Sequence, residues 1–173
     1  MTVSKELGFK EKMKCLSPVY RDIVVCTFML VLIKVTCSIG FIFYHNMTQS
    51  AVLNYSLIFT VNDNSNYALA QLLKALITSP VIETLLYFHF TYWLINKFKI
   101  PPKFYIVLSA LLFSSAHMWN IAESSLYTFF LTSLGGLVFS FNYHRQYSTI
   151  NQDAALASTT FIHMLANGIV LYY

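Results

Sequence analysis

The stretch YALAQLLKALITSPVIETLLYFHFTYWLI, residues 67–95, decides the fold. A helix that crosses the hydrocarbon core of a bilayer needs roughly 20 mostly apolar residues, and this stretch is long enough. It nevertheless carries a proline, Pro80, and a carboxylate, Glu83, deep inside the apolar run. An ionisable side chain at that depth is costly, so Glu83 marks a candidate functional site.

The composition extends this interpretation to the whole chain. Hydrophobic residues make up 57% of the sequence and charged residues only 10%, whereas soluble domains carry about 25% charged residues. We therefore predict an integral membrane protein. The formal net charge of +4 lies mainly at segment ends, which indicates membrane orientation and not nucleic acid binding. The cysteines form no CxxC pair, so neither a disulfide framework nor a zinc ribbon is indicated.

Four more apolar segments are candidates for membrane spans. The predicted spans are 22–44, 67–95, 103–121, 124–143 and 153–173. They predict an all-α, polytopic transmembrane bundle of about five spans in a single domain, residues 1–173. Lysine and arginine concentrate in the N-terminal arm and in the segments 96–103 and 144–152. Because cytoplasmic loops carry the excess of these residues, we expect a cytoplasmic N-terminus.

Few ionisable residues lie within the predicted spans. They are Lys34, Lys74, Glu83, His89, His117 and His163. Lys74 is close to a helix end, where its side chain can extend to the interface. For Lys34, pairing with a carboxylate and extension to the interface both remain open. His89 is expected to be a packed, hydrogen-bonded histidine.

Three of these residues fall in one layer of the membrane. Counted from the cytoplasmic end of each span, Glu83 lies at about 18 Å, His117 at about 21 Å and His163 at about 15 Å. Asn167 follows His163 by one helical turn on the same face. Such a set can hydrolyse a bond, because a carboxylate accepts a proton from water while imidazoles and an amide orient the water or stabilise an oxyanion. Structural hydrogen bonding between helices is the alternative. A proton relay is disfavoured, because it would spread polar groups across the full depth.

Three short motifs resemble those of a known family. "SPVIETLLYF" (79–88), "FSSAH" (113–117) and "HMLAN" (163–167) are similar to the three motifs of the CPBP intramembrane proteases, the CAAX-protease and bacteriocin-processing family also called Abi. The resemblance covers residues 67–173 and implies a transmembrane bundle with its site inside the membrane, open to the cytoplasm. Thr84 and Phe88 stand where the family's first motif has a second glutamate and an arginine.

The resemblance also implies a mechanism. It is that of a glutamic endopeptidase in which Glu83 activates a water with the help of His117, and His163 and Asn167 form the oxyanion hole. No cofactor is expected. A zinc ion on Glu83, His117 and His163 is an alternative, since zinc takes nitrogen and oxygen ligands, but the HExxH spacing is missing.

The expected partners are the lipid bilayer and a membrane-associated peptide or protein substrate. The expected location is the plasma membrane of a bacterium. A non-catalytic membrane scaffold or immunity protein of the same family is the alternative function, and the altered first motif favours it.

Overall fold

The computed structural model describes residues 9–48, 65–118 and 125–171, and these ranges are almost entirely helical. The helices are α1 (Phe9–Thr48), α2 (Ser65–Leu73), α3 (Ser79–Glu83), α4 (Phe90–Lys97), α5 (Pro102–Met118), α6 (Ser125–Thr149) and α7 (Gln152–Leu171). No strand occurs within these ranges. The predicted all-α fold is therefore confirmed.

The helices follow the predicted spans, although α1 and α6 continue past the predicted ends, 44 and 143, to Thr48 and Thr149. Two further differences concern the start of α1 and the build of the second span. The first is that α1 starts well before the predicted residue 22 and contains Pro18. The second is that π-helical turns, Lys74–Thr78 and Thr84–His89, join α2, α3 and α4 into one continuous helical stretch. The predicted span residues 119–121, 124 and 172–173 lie outside the described ranges.

The outer surface of the bundle is apolar. Two segments of the described chain, Pro18–Gly40 and Leu69–Lys97, have the length and hydropathy needed to cross a membrane, with mean hydropathies of 2.3 and 1.4. On α1 the exposed apolar side chains recur every three or four residues: Val24, Phe28, Leu32, Val35 and Ile39. These side chains form an apolar stripe along the outer side of the helix. Such a stripe is the surface expected where a helix contacts lipid chains.

The interior, in contrast, holds many polar side chains. Asn142 on α6 is almost fully buried, and its amide nitrogen donates to Ser158 Oγ at 3.0 Å and Thr159 Oγ1 at 2.9 Å on α7. Lipid is as apolar as leucine, so helices in a membrane associate through close packing and interhelical hydrogen bonds. These bonds therefore hold α7, with its motif residues, against α6.

A buried carboxylate joins α1 to α6. Asp22 is only 6% exposed, and its Oδ2 atom lies 2.9 Å from Arg145 Nε and accepts a hydrogen bond of 2.9 Å from Gln146 Nε2. A buried charge is tolerated only when it is paired and hydrogen-bonded. The pairing sets the rotation of α1, and it thereby determines which of its side chains face the other helices.

Candidate active site

Glu83 is the last residue of α3, which lies between the two π-helical turns. Pro80 lies just after the first of these turns, and it has no backbone N–H to continue the α-helical pattern. Ser79 N–H bonds to Lys74 O, five residues earlier, instead of the usual four. Such π-helical turns inside α-helices occur frequently at functional sites. The proline was evident in the sequence, but the two π-helical turns were not predicted.

The Glu83 carboxylate meets two imidazoles from two other helices. Its Oε2 atom lies 3.3 Å from His163 Nε2 on α7 and 3.9 Å from His117 Nε2 on α5. The three residues that were predicted to lie at one depth therefore also lie close together in space. His163, predicted to act on the oxyanion, is closer to Glu83 than His117, the predicted partner in water activation.

A hydrogen bond along α5 fixes the tautomer of His117. Its Nδ1 atom lies 2.7 Å from the backbone oxygen of Phe113, one turn earlier. A carbonyl oxygen only accepts, so Nδ1 must carry the hydrogen. A neutral His117 ring then presents the Nε2 lone pair toward Glu83, where it can accept a hydrogen bond from water.

His163 is held by aromatic rings. Its side chain is 3% exposed, and the ring centroids of Phe139 and Phe113 lie 4.6 Å and 5.5 Å from its own. Within the described residues its Nδ1 atom has no hydrogen-bond partner, and Glu83 Oε2 accepts no bond of good direction despite the 3.3 Å contact. The carboxylate thus keeps a lone pair for a further donor.

Asn167 completes the predicted set one turn beyond His163. Its Nδ2 atom donates to the backbone oxygen of Ala75 at 2.9 Å. This bond links α7 to the first π-helical turn. It uses one of the two amide hydrogens, so the second is available for another acceptor.

The two histidines and Asn167 line one cavity of about 300 Å³. Its polar lining consists of Lys34, His117, Thr128, Thr132, His163 and Asn167. Lys34 lines this cavity from α1, a position that the sequence did not predict. Its two predicted roles stay predictions. The same count of helical rise places it about 18 Å from the cytoplasmic end of its span, level with the motif residues. Its depth could therefore have identified it as a site residue.

The other ionisable residues of the spans lie elsewhere. His89 Nδ1 is 2.6 Å from the Tyr143 hydroxyl, so His89 is the packed, hydrogen-bonded histidine that was expected. Lys74 is exposed at the start of the first π-helical turn. Neither residue lines the cavity that His117, His163 and Asn167 share.

The two departures from the family's first motif belong to the packed interior. Thr84 and Phe88 are both 0% exposed. The Phe88 ring lies 5.6 Å from that of Phe113 and 5.7 Å from that of Phe139. An aromatic cluster therefore occupies the place of the charged pair, directly behind the His163 ring that the same two phenylalanines contact.

The described residues contain no group of three or more His, Cys, Asp or Glu side chains arranged to hold a metal ion. Zinc requires nitrogen and oxygen ligands that converge on a point about 2.0–2.2 Å from each donor atom. Metal-free chemistry at Glu83 remains a prediction.

A comparison with protein families identifies the chain. A family model described as "Type II CAAX prenyl endopeptidase Rce1-like" matches residues 65–169. The chain belongs to this family. The match takes in Glu83, His117, His163 and Asn167, whereas α1 with Lys34 lies outside it. Neither the curated proteins nor the solved structures yielded a match.

Membership confirms the resemblance drawn from the three motifs. Family membership and the apolar exterior of the helices together indicate that the chain is an integral membrane protein of the CAAX-protease family. The family name also indicates a membrane-associated peptide or protein as the substrate.

The packing of the aromatic cluster predicts that loss of the Phe88 ring lowers the stability of the fold but does not change the rate of the reaction. Phe88→Ala removes a fully buried ring, and such changes cost about 3–5 kcal/mol. We expect a large drop in the thermal midpoint in detergent but an unchanged rate constant per folded molecule. Phe90→Ala is the matched control, because Phe90 is 51% exposed on the same helical stretch. Equal losses in the two variants would show that the cluster does not support the fold.

Proposed function

We propose that this protein is an intramembrane endopeptidase that hydrolyses a peptide bond of a membrane-associated substrate without a metal. The observation that carries the proposal is the Glu83 carboxylate, 3.3 Å and 3.9 Å from two imidazoles that line one cavity. Family membership supports the reaction class. The roles of the individual residues are those that the resemblance to the family implies, and they are part of the proposal.

The first step is the activation of water. The atoms Glu83 Oε2 and His117 Nε2 are 3.9 Å apart, too far for a direct hydrogen bond. One water molecule that lies beside both atoms can donate a hydrogen bond to each. Glu83 then takes the proton as the water oxygen attacks the substrate carbonyl carbon, which is general base catalysis by a positioned carboxylate.

The second step is the collapse of the tetrahedral intermediate. Its oxyanion receives hydrogen bonds from His163 and from the free amide hydrogen of Asn167, which are most valuable in a site that excludes water. The C–N bond then breaks, and the proton held by Glu83 passes to the leaving amine. Water is consumed and the products are a carboxylate and an amine, so no metal or redox partner is required.

The substrate must deliver a peptide bond to mid-membrane depth. A prenyl group on cysteine, as in CAAX sequences, anchors a peptide to the bilayer. We propose that an anchored peptide of this kind reaches the cavity from the cytoplasmic side, where the positive loops are predicted. We also propose the plasma membrane of a bacterium as the location of the protein.

A non-catalytic scaffold remains the second candidate, and one observation favours it. The aromatic packing of Phe88, 0% exposed, has replaced the charged pair that the family's first motif carries. The scaffold function requires the fold and the outer surface but not proton transfer at Glu83. Mutation of that residue therefore separates the two functions.

Glu83→Gln tests the proposed chemistry. It keeps the side chain's size but removes its ability to take a proton, and general acid–base help is worth roughly 10²–10⁴ in rate. We expect normal expression and insertion with a rate loss of that order. The assay uses the full chain in lipid nanodiscs. The substrate is a quenched-fluorescence peptide whose fourth residue, counted from the C-terminus, is a farnesylated cysteine.

Asp153→Asn is the matched control for charge removal, because Asp153 is an exposed carboxylate in the first turn of α7. It should retain the wild-type rate. Cleavage by Glu83→Gln at the wild-type rate would refute the protease proposal and leave the scaffold function.

Chelation tests the absence of a metal. We expect hydrolysis of the same peptide to continue in 1,10-phenanthroline, because water activation is assigned to Glu83 and His117 alone. The non-chelating 1,7-phenanthroline controls for direct effects of the compound. Loss of activity with the chelating isomer only, followed by recovery on addition of zinc, would establish the metalloprotease alternative.

A further inference from the structure

Pro80 affects a hydrogen bond between its own helical stretch and α7. Its side chain is buried, and it lies three residues before Glu83. A proline has no backbone N–H, so one carbonyl in the preceding turn loses its donor. The local register decides which carbonyl this is: Leu76 O in an α-helical register, or Ala75 O in a π-helical one.

The structure has the π-helical register at this point. Ser79 N–H bonds to Lys74 O, five residues earlier. The next bond in that register would join the nitrogen of Pro80 to Ala75 O, but this nitrogen carries no hydrogen. The Ala75 carbonyl is therefore left without the backbone donor that the register assigns to it. In a membrane, such a group needs a donor from a neighbouring helix.

Asn167 on α7 supplies that donor. Its Nδ2 atom lies 2.9 Å from Ala75 O. The amide group is planar, so a bond through one hydrogen also fixes the direction of the second hydrogen and of the oxygen. Asn167 lines the same cavity as His117 and His163. The orientation of its amide is thus set by a carbonyl that the proline has released.

We propose that Pro80 is a positioning residue for Asn167. By removing the donor for Ala75 O, Pro80 turns this carbonyl into the anchor that directs the Asn167 amide in the cavity. The part of this inference that concerns reaction rate rests on the proposed function. The hydrogen-bonded link from Pro80 through Ala75 to Asn167 does not.

Two substitutions and their combination test the inference in the full chain. Pro80→Ala provides a backbone N–H for Ala75 O and releases the Asn167 amide. With the farnesylated peptide we expect kcat to fall on the order of 10- to 100-fold, as for a misplaced catalytic group, with KM little changed. Asn167→Ala should lose about 10²–10³ in kcat, as for an oxyanion donor.

The double variant is the decisive one. Without the amide there is nothing for Pro80 to position, so Pro80→Ala combined with Asn167→Ala should have the kcat of Asn167→Ala alone. Independent effects would instead multiply. Multiplied losses, or a wild-type kcat in Pro80→Ala, would overturn the inference. Pro18→Ala, which changes an exposed proline inside α1, should keep the wild-type kcat.

Thermal midpoints of the same four proteins test the link without reference to activity. Asn167→Ala leaves Ala75 O without its donor, so the midpoint should fall. In the Pro80→Ala background the new backbone N–H satisfies that carbonyl, and the fall should be much smaller. Equal falls in both backgrounds would overturn the link. If wild-type protein does not cleave the peptide, the proposed function fails, and the midpoints still decide the link.

Discussion

The structure depends on one partly buried carboxylate, Glu83, which is held among apolar helices with 20% of its side chain exposed. Two other helices bring imidazoles within 3.3 Å and 3.9 Å of the Glu83 carboxylate, which is predicted to lie at mid-membrane depth. A charge in this environment must be paired or must face a polar cavity. This requirement fixes the relative positions of α3, α5 and α7, since all three must present a polar side chain at one point. The side chains that meet at this point, Glu83, His117 and His163, are also those that the proposed chemistry uses.

The rest of the bundle maintains this arrangement with polar contacts inside and apolar surface outside. Asn142 links α6 to α7, and Asp22 links α1 to α6. The second link has a functional consequence, because α1 brings Lys34 to the cavity that His117 and His163 line. The family match covers residues 65–169, so this chain builds part of its site from a helix outside the match.

The sequence predicted the parts of the site that follow from regular geometry. The rise of an α-helix is fixed, so a count of residues along each span was enough to place Glu83, His117 and His163 at one depth. It did not predict that Lys34 joins them. The rotation of α1 depends on the pairing of Asp22 with Arg145, which are far apart in the chain. Nor did it predict the π-helical turns, because Ala75 O finds its donor on another helix.

The departure at Phe88 bears on how the family's chemistry can persist. The aromatic rings of Phe88, Phe113 and Phe139 pack where a charged pair is expected. Replacement of a buried ion pair by well-packed apolar groups is often neutral or stabilising. Loss of both charges together therefore leaves no uncompensated charge behind Glu83. The residues assigned to proton transfer and to oxyanion binding are untouched by the exchange.

The central claim is that Glu83 activates water and does not itself attack the substrate. A single turnover of the farnesylated peptide in H₂¹⁸O, quenched in acid at intervals, tests the two routes. Mass spectrometry should find the label in the new carboxylate of the cleaved peptide, no label in the Glu83 side chain and no acyl group of the substrate bound to Glu83. Label or a substrate acyl group on Glu83 would reveal an anhydride intermediate and contradict the claim.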